Sequence, residues 1–231
     1  VLIAAIQDKD DKVRVSAVQG LGWMQAKEAA PALLAALGGK DMVLRRRAAQ
    51  ALGQIGDDRA VKPLVGVLGD KDYDVAVNAA LSLGWLKAKE ATPDLLKIVT
   101  TLDRQDADQR AVMLAAVRAL GHIGDEAAVP ALEKLAAEAK DYPTVKNRVR
   151  VKNIYSSSQS LGLEGHAQLA LEEIKAGGRR EVGVKQADFL ASKAVFYRLA
   201  KNFNALAGRP GTLGKTETLA AYWPSFKEAG I

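Results

Sequence analysis

The sequence predicts an all-α fold: a right-handed α-solenoid in which one helix hairpin repeats along the chain, with a helical cap at its C-terminal end. Three observations lead there. The pair Leu-Gly recurs at 21–22, 52–53, 83–84 and 120–121. Around each pair the same apolar template returns, with Val13, Leu44, Val75 and Val112 nine positions before the glycine, Ala17, Ala48, Ala79 and Ala116 five before, and Met24, Ile55, Leu86 and Ile123 two after. Beyond each pair, Pro31, Pro63, Pro93 and Pro130 open or enter a second apolar run. A unit of about 31 residues lies in the range of solenoid repeats.

The elements follow in order. Leu2-Ile3-Ala4-Ala5-Ile6 precedes Leu33-Leu34-Ala35-Ala36-Leu37 by 31 residues, so the chain is expected to open inside the second helix of an earlier unit, as a fragment of a longer array. Template steps of 4, 4 and 3 residues from the Val/Leu through Ala and Leu to the last apolar position put all four on one stripe of a 3.6-residue helix, which makes each first helix amphipathic. Asp41 and Asp72 stand just before two of these helices and are candidate N-caps. Second helices begin near the prolines, since a first-turn proline lacks only an N–H that would have no intrahelical acceptor. The recurrent Ala, five before each glycine, suits a place where helices approach closely.

Residues 1–139 therefore form the array, with an incomplete first unit. Residues 140–176 hold a basic insertion and a degenerate fifth unit, in which Leu163, Ala167, Leu171 and Ile174 restate the template and Glu172 replaces the glycine. In 177–231, a helical extension or cap, Phe189, Phe196, Leu199, Phe203 and Leu206 fall at helical spacings. The helix should stop at Ala207-Gly208-Arg209-Pro210-Gly211. Covering the open apolar face of the last unit is its preferred role, with binding to a membrane or partner as the alternative. Tyr222-Trp223-Pro224-Ser225-Phe226 would either fold back on the array or serve as a docking peptide.

This pattern resembles the HEAT family, specifically the short bacterial type related to phycobilin-lyase repeats, with a consensus near V-R-x-x-A-x-x-A-L-G-x-I-G followed by A-V-P-x-L. It is carried by Val13-Arg14 with Ala17, Leu21 and Gly22, by Leu44-Arg45 through Gly56, and by Ala116 to Gly124 with Ala128-Val129-Pro130. Ala76 and Met113 stand where the arginine is expected in the third and fourth units. The resemblance implies the solenoid fold and leaves function open, because such arrays serve many roles. It also implies that Arg14 and Arg45 pair with an acidic residue of an adjacent turn, with Asp8, Asp10 and Asp41 as candidates.

Composition narrows the functional classes. No stretch reaches the roughly 18 apolar residues of a membrane span, so the chain reads as a soluble protein, without a choice between cytoplasm and periplasm. There is no cysteine, hence no disulfide and no thiolate metal site. The net charge of +6 is uneven: residues 1–139 carry 18 Lys/Arg against 19 Asp/Glu, and residues 140–231 carry 15 against 8. Only two histidines occur, His122 and His166, and neither is followed by Glu, which argues against a metal site. Gly211-Thr212-Leu213-Gly214-Lys215-Thr216 lacks the first glycine of a phosphate-binding loop and reads as a turn. No catalytic residue, cofactor or metal is expected.

Binding residues are easier to nominate. Trp23, Gln54, Trp85 and His122 each follow a Leu-Gly pair and lie off the buried stripe, so in a regular array they form a column along one edge. Trp23 and Trp85 would then be partner anchors, as rigid aromatics often are, or would pack on neighbouring turns. Arg46 and Arg47 extend the family arginine into a triplet and are read as solvated or partner-binding. In the insertion, Lys146, Arg148, Arg150 and Lys152 alternate with Asn147, Val149 and Val151. An extended ribbon would direct the four charges to one side, making Arg148 and Arg150 candidates for an anionic partner. The leading expectation is a non-catalytic scaffold that binds another protein. Alternatives are nucleic-acid binding through the basic C-terminal part and, on the resemblance alone, a chromophore-lyase-like or chaperone role.

Overall fold

The structure is a computed structural model that describes residues 2–138 and 162–178. The described elements are all helical: α1 Leu2–Ala5, α2 Asp11–Trp23, α3 Ala30–Leu37, α4 Met42–Ile55, α5 Val61–Gly66, α6 Tyr73–Trp85, α7 Thr92–Thr101, α8 Ala107–Ile123, α9 Val129–Glu138 and α10 Leu163–Lys175, with a short 3-10 turn ahead of α3, α5, α7 and α9. The insertion through residue 161 and the extension from 179, including Arg148, Arg150, the phenylalanine helix and the glycine-lysine turn, lie outside the described residues.

First helices form one layer, in which α2 packs on α4, α4 on α6, α6 on α8 and α8 on α10. The second helices α3, α5, α7 and α9 pack chiefly against the first helix of the following unit, so a lone hairpin has little core and each unit completes its neighbour. The template residues make up that core: Ala17, Ala48, Ala79, Ala116 and Ala167 have no exposed surface.

The tightest approach in the first-helix layer falls on the glycines. A Cβ on Gly84 or Gly121 would lie 2.8 Å from the Cα of Ala119 or Ala170, and on Gly22 it would lie 2.9 Å from the Cα of Ala51. Gly53 meets Ser82 in the same way. The facing position is thus small in every unit, two residues before the next template glycine. Buried Ser82 is satisfied there by donating to the Ala49 carbonyl at 2.9 Å.

Aspartates set both helix starts and unit spacing. Asp10, Asp41, Asp72 and Asp106 cap α2, α4, α6 and α8 by accepting from backbone N–H groups in the first turn. Arg14 reaches across to Asp41 at 2.9 Å and also contacts Asp11 at 2.7 Å. Its hydrogen bond to Asp41 raises the guanidinium further above its ordinary range, and the same bond, with backbone donors, lowers the Asp41 carboxyl. Arg45 differs from the family-based expectation. Its acidic partner is Asp70, in the turn ahead of the next unit, held through Nε and Nη2 at 3.0 and 3.1 Å, while Nη1 donates to the carbonyls of Gly39 and Lys40. Burial alone would raise the Asp70 carboxyl; donation from the Asp72 N–H and Arg45 outweighs it and lowers the group. Where the arginine is missing, Ala76 and Met113 are fully buried, consistent with an apolar side chain occupying the space without an ion pair.

Candidate partner-binding face

The outward edge of the first-helix layer carries the column named from sequence, and the seams between helices explain how it is held. At two of the template glycines the next unit's column residue closes over the bare backbone: Gln54 Oε1 lies 2.5 Å from the place of a Cβ on Gly22, and Glu173 Oε2 lies 2.7 Å from that place on Gly121. Trp23, Gln54 and Trp85 are half-buried, so the two tryptophans line the layer instead of projecting freely.

His122 departs from the expected column. It is only 4% exposed, and its Nε2 lies 3.8 Å from Glu173 Oε2. With Arg118, His166, Leu169 and Ala170 these two residues line a recess between α8 and α10. His166 is 8% exposed, and its Nδ1 lies 3.0 Å from the Gly162 carbonyl oxygen. Sequence reading missed that the two histidines line one recess. The signal was present, since once Glu172 takes the place of glycine, residue 173 continues the column past His122. No group of three His, Cys, Asp or Glu side chains among the described residues is arranged to hold a metal.

The arginine triplet divides three ways. Arg45 is the buried strut to Asp70. Arg46, with 34% of its side chain exposed, is engaged within the array: it grips both Asp72 oxygens, the shortest contact being 2.6 Å, and reaches Asp74 at 2.8 Å. A planar fork matched to a carboxylate explains why arginine suits this inter-unit brace. Arg47, one residue on, is half-buried and, among the described residues, has a single long hydrogen bond, to Gln50 Oε1 at 3.4 Å. Burial, then the neighbouring Arg46 charge, holds its guanidinium below the usual arginine range, although still cationic at neutral pH.

Against known proteins, a family model described as HEAT repeats matches residues 1–81, 31–112 and 63–150. The chain belongs to the HEAT repeat family. Among solved structures, this HEAT array is similar to a chain in the complex of CpcE and CpcF of phycocyanin lyase from Nostoc sp. PCC7120, at 28% identity and a TM-score of 0.60. That match covers 76% of this chain and 64% of the other, so the array spans less than two thirds of that chain's length. An engineered protein also matches, at 24% identity and a TM-score of 0.46, over 77% of this chain and 79% of its own. No curated protein matches. Among the described residues, no helix is long and apolar enough to cross a membrane.

Proposed function

We propose that this HEAT array is a non-catalytic scaffold that binds another protein along the outward edge of its first helices. The observation that carries the reading is the composition of that edge: half-buried Trp23 and Trp85 in register, with half-buried Arg47 and the carboxamides of Gln50 and Gln54 between them. Aromatic and arginine side chains that are already partly desolvated lose little further hydration and little rotamer freedom on contact, which is why such residues dominate interface energies. The likeness to a chain of the CpcE and CpcF complex supports a protein as the partner. Arg46 is left out because its donors are occupied within the array.

A photo-crosslinking side chain at Gln50, compared with one at exposed Lys62 on α5, tests the reading in native lysate treated with nuclease. A protein adduct from Gln50, absent from Lys62 and reduced in a Trp23→Ala, Trp85→Ala variant of normal helicity, is the expected result. Equal labelling from both sites, or adducts lost on nuclease treatment, would refute it.

A second reading rests on the likeness to a chain of a phycocyanin lyase complex: the array would then act on a pigment-bearing protein. Visible absorption of material captured on the array decides this, since a chromophore gives a band that a protein-only complex lacks.

A further inference from the structure

We infer that Arg47, Gln50, Gln54 and Trp23 form a docking site for an extended acidic peptide segment of a protein partner, with Arg47 receiving a carboxylate. The inference rests on the protein-binding reading above and specifies the chemistry that edge selects.

The first support is the distribution of ion pairs. Arg14, Arg45, Arg46, Arg59 and Arg104 each have a carboxylate oxygen within 3.0 Å. Arg47 has the Gln50 amide oxygen at 3.4 Å instead; Arg110, which likewise has no carboxylate among the described residues, is held by the Arg104 carbonyl at 2.7 Å. The nearby carboxylates are committed elsewhere, Asp70 to Arg45 and both Asp72 and Asp74 to Arg46. A half-buried guanidinium without a counter-charge among the described residues has lost hydration that an incoming carboxylate would restore through charge-assisted hydrogen bonds.

The second support is spacing. Arg47, Gln50 and Gln54 follow steps of 3 and 4 along α4 and share one stripe, with Gln54 lying against Gly22 next to Trp23. At a rise of about 1.5 Å per residue, Arg47 and Gln54 are roughly 10 Å apart along the helix. An extended peptide covers about 3.3 Å per residue, so a carboxylate on Arg47 places a side chain about three positions away beside Trp23. Gln50 and Gln54 can each donate to and accept from the intervening backbone. The recognised segment is therefore Asp or Glu with an apolar or aromatic residue about three positions distant.

The test is selection of a random 12-residue peptide library on the full chain, with counter-selection on Arg47→Gln. Circular dichroism confirms that the variant keeps its helicity, and Arg59→Gln serves as a control at an exposed, locally paired arginine. Enriched peptides should carry the acidic and apolar pair. Their Kd should rise about tenfold or more on Arg47→Gln, and equally when the peptide acid is replaced by its amide, with Arg59→Gln unchanged. Enrichment without acidic residues, affinity indifferent to Arg47, or no enrichment would each overturn the inference. So would a labelled 20-nucleotide DNA that binds through Arg47 where peptides do not. If Arg47→Gln leaves the Gln50 crosslink to the native partner at full yield, protein binding stands and this inference falls; loss of every Gln50 adduct in the unmodified background removes the functional reading itself.

Discussion

Replacing Gly84 with alanine separates the close approach of first helices from ordinary helix propensity, because the two act with opposite sign. The new Cβ would sit 2.8 Å from Ala119 Cα, 3.2 Å from Ala119 Cβ and 3.5 Å from the Ala119 carbonyl oxygen. Carbon atoms rest near 3.5–4.0 Å, so α6 and α8 must part by roughly 1 Å. Forcing a methyl group into a filled seam costs about 1–3 kcal/mol, and exchanging glycine for alanine in a helix returns up to about 1 kcal/mol. The net expectation is destabilisation by about 1–2 kcal/mol. Gly20, in α2, has nothing within 4 Å of its Cβ position, so Gly20→Ala should stabilise by about 0.5–1 kcal/mol. Urea titration followed by helical circular dichroism reads both as shifts of the midpoint in opposite directions. Adding Ala119→Gly should rescue Gly84→Ala only in small part, because the 2.8 Å contact is with backbone. Shifts of the same sign for the two alanine variants, or full rescue by Ala119→Gly, would refute the backbone-contact account.

Three further outcomes follow from other parts of the array. Gln25 and Lys87 hold positive φ, 49° and 51°, at the place where Gly56 and Gly124 stand in the second and fourth units; Lys87→Gly should raise stability by about 1 kcal/mol in the same titration. Asp70→Asn leaves the buried Arg45 without a counter-charge and should cost about 2–4 kcal/mol, whereas Arg45→Met with Asp70→Asn, which copies the Met113 solution of the fourth unit, should cost less than Asp70→Asn alone. The Asp41 and Asp70 carboxyls are held below their unfolded value, near 3.9, so their contribution to stability is complete above that pH and fades as pH falls through the lowered folded values. The urea midpoint should therefore drop below about pH 4, and an Asp41→Asn, Asp70→Asn chain should show a shallower drop.

The edge proposed to bind a partner depends on the same devices that build the stack. Arg45 and Arg46 brace consecutive units through the turn aspartates, and by occupying those carboxylates they leave Arg47 without an ion pair among the described residues. Gly22, having no side chain, leaves room for Gln54 against α2. The proposed surface is built by how one unit closes over the previous one, not by an appended loop.

The features legible in the amino-acid order are local. Apolar steps of 4, 4 and 3 specify which face of each first helix is buried, and Asp41 and Asp72 mark helix starts, because helix periodicity and capping act within a few residues. The family consensus supplied the inter-unit arginine and one right partner, Asp41 for Arg14. Tertiary structure decided whatever depends on the distance between units. Asp70, 25 positions from Arg45, became its partner only once the turn ahead of the next unit was placed. The left-handed conformations at Gln25 and Lys87 are backbone facts that side-chain identity conceals. His122 and His166, 44 residues apart, share a recess because α10 packs directly on α8 despite the intervening insertion. The reason is common to these cases: a repeat period fixes direction along each helix, while the register between helices is set by which small residues allow backbones to approach, and that spacing chooses which charges meet.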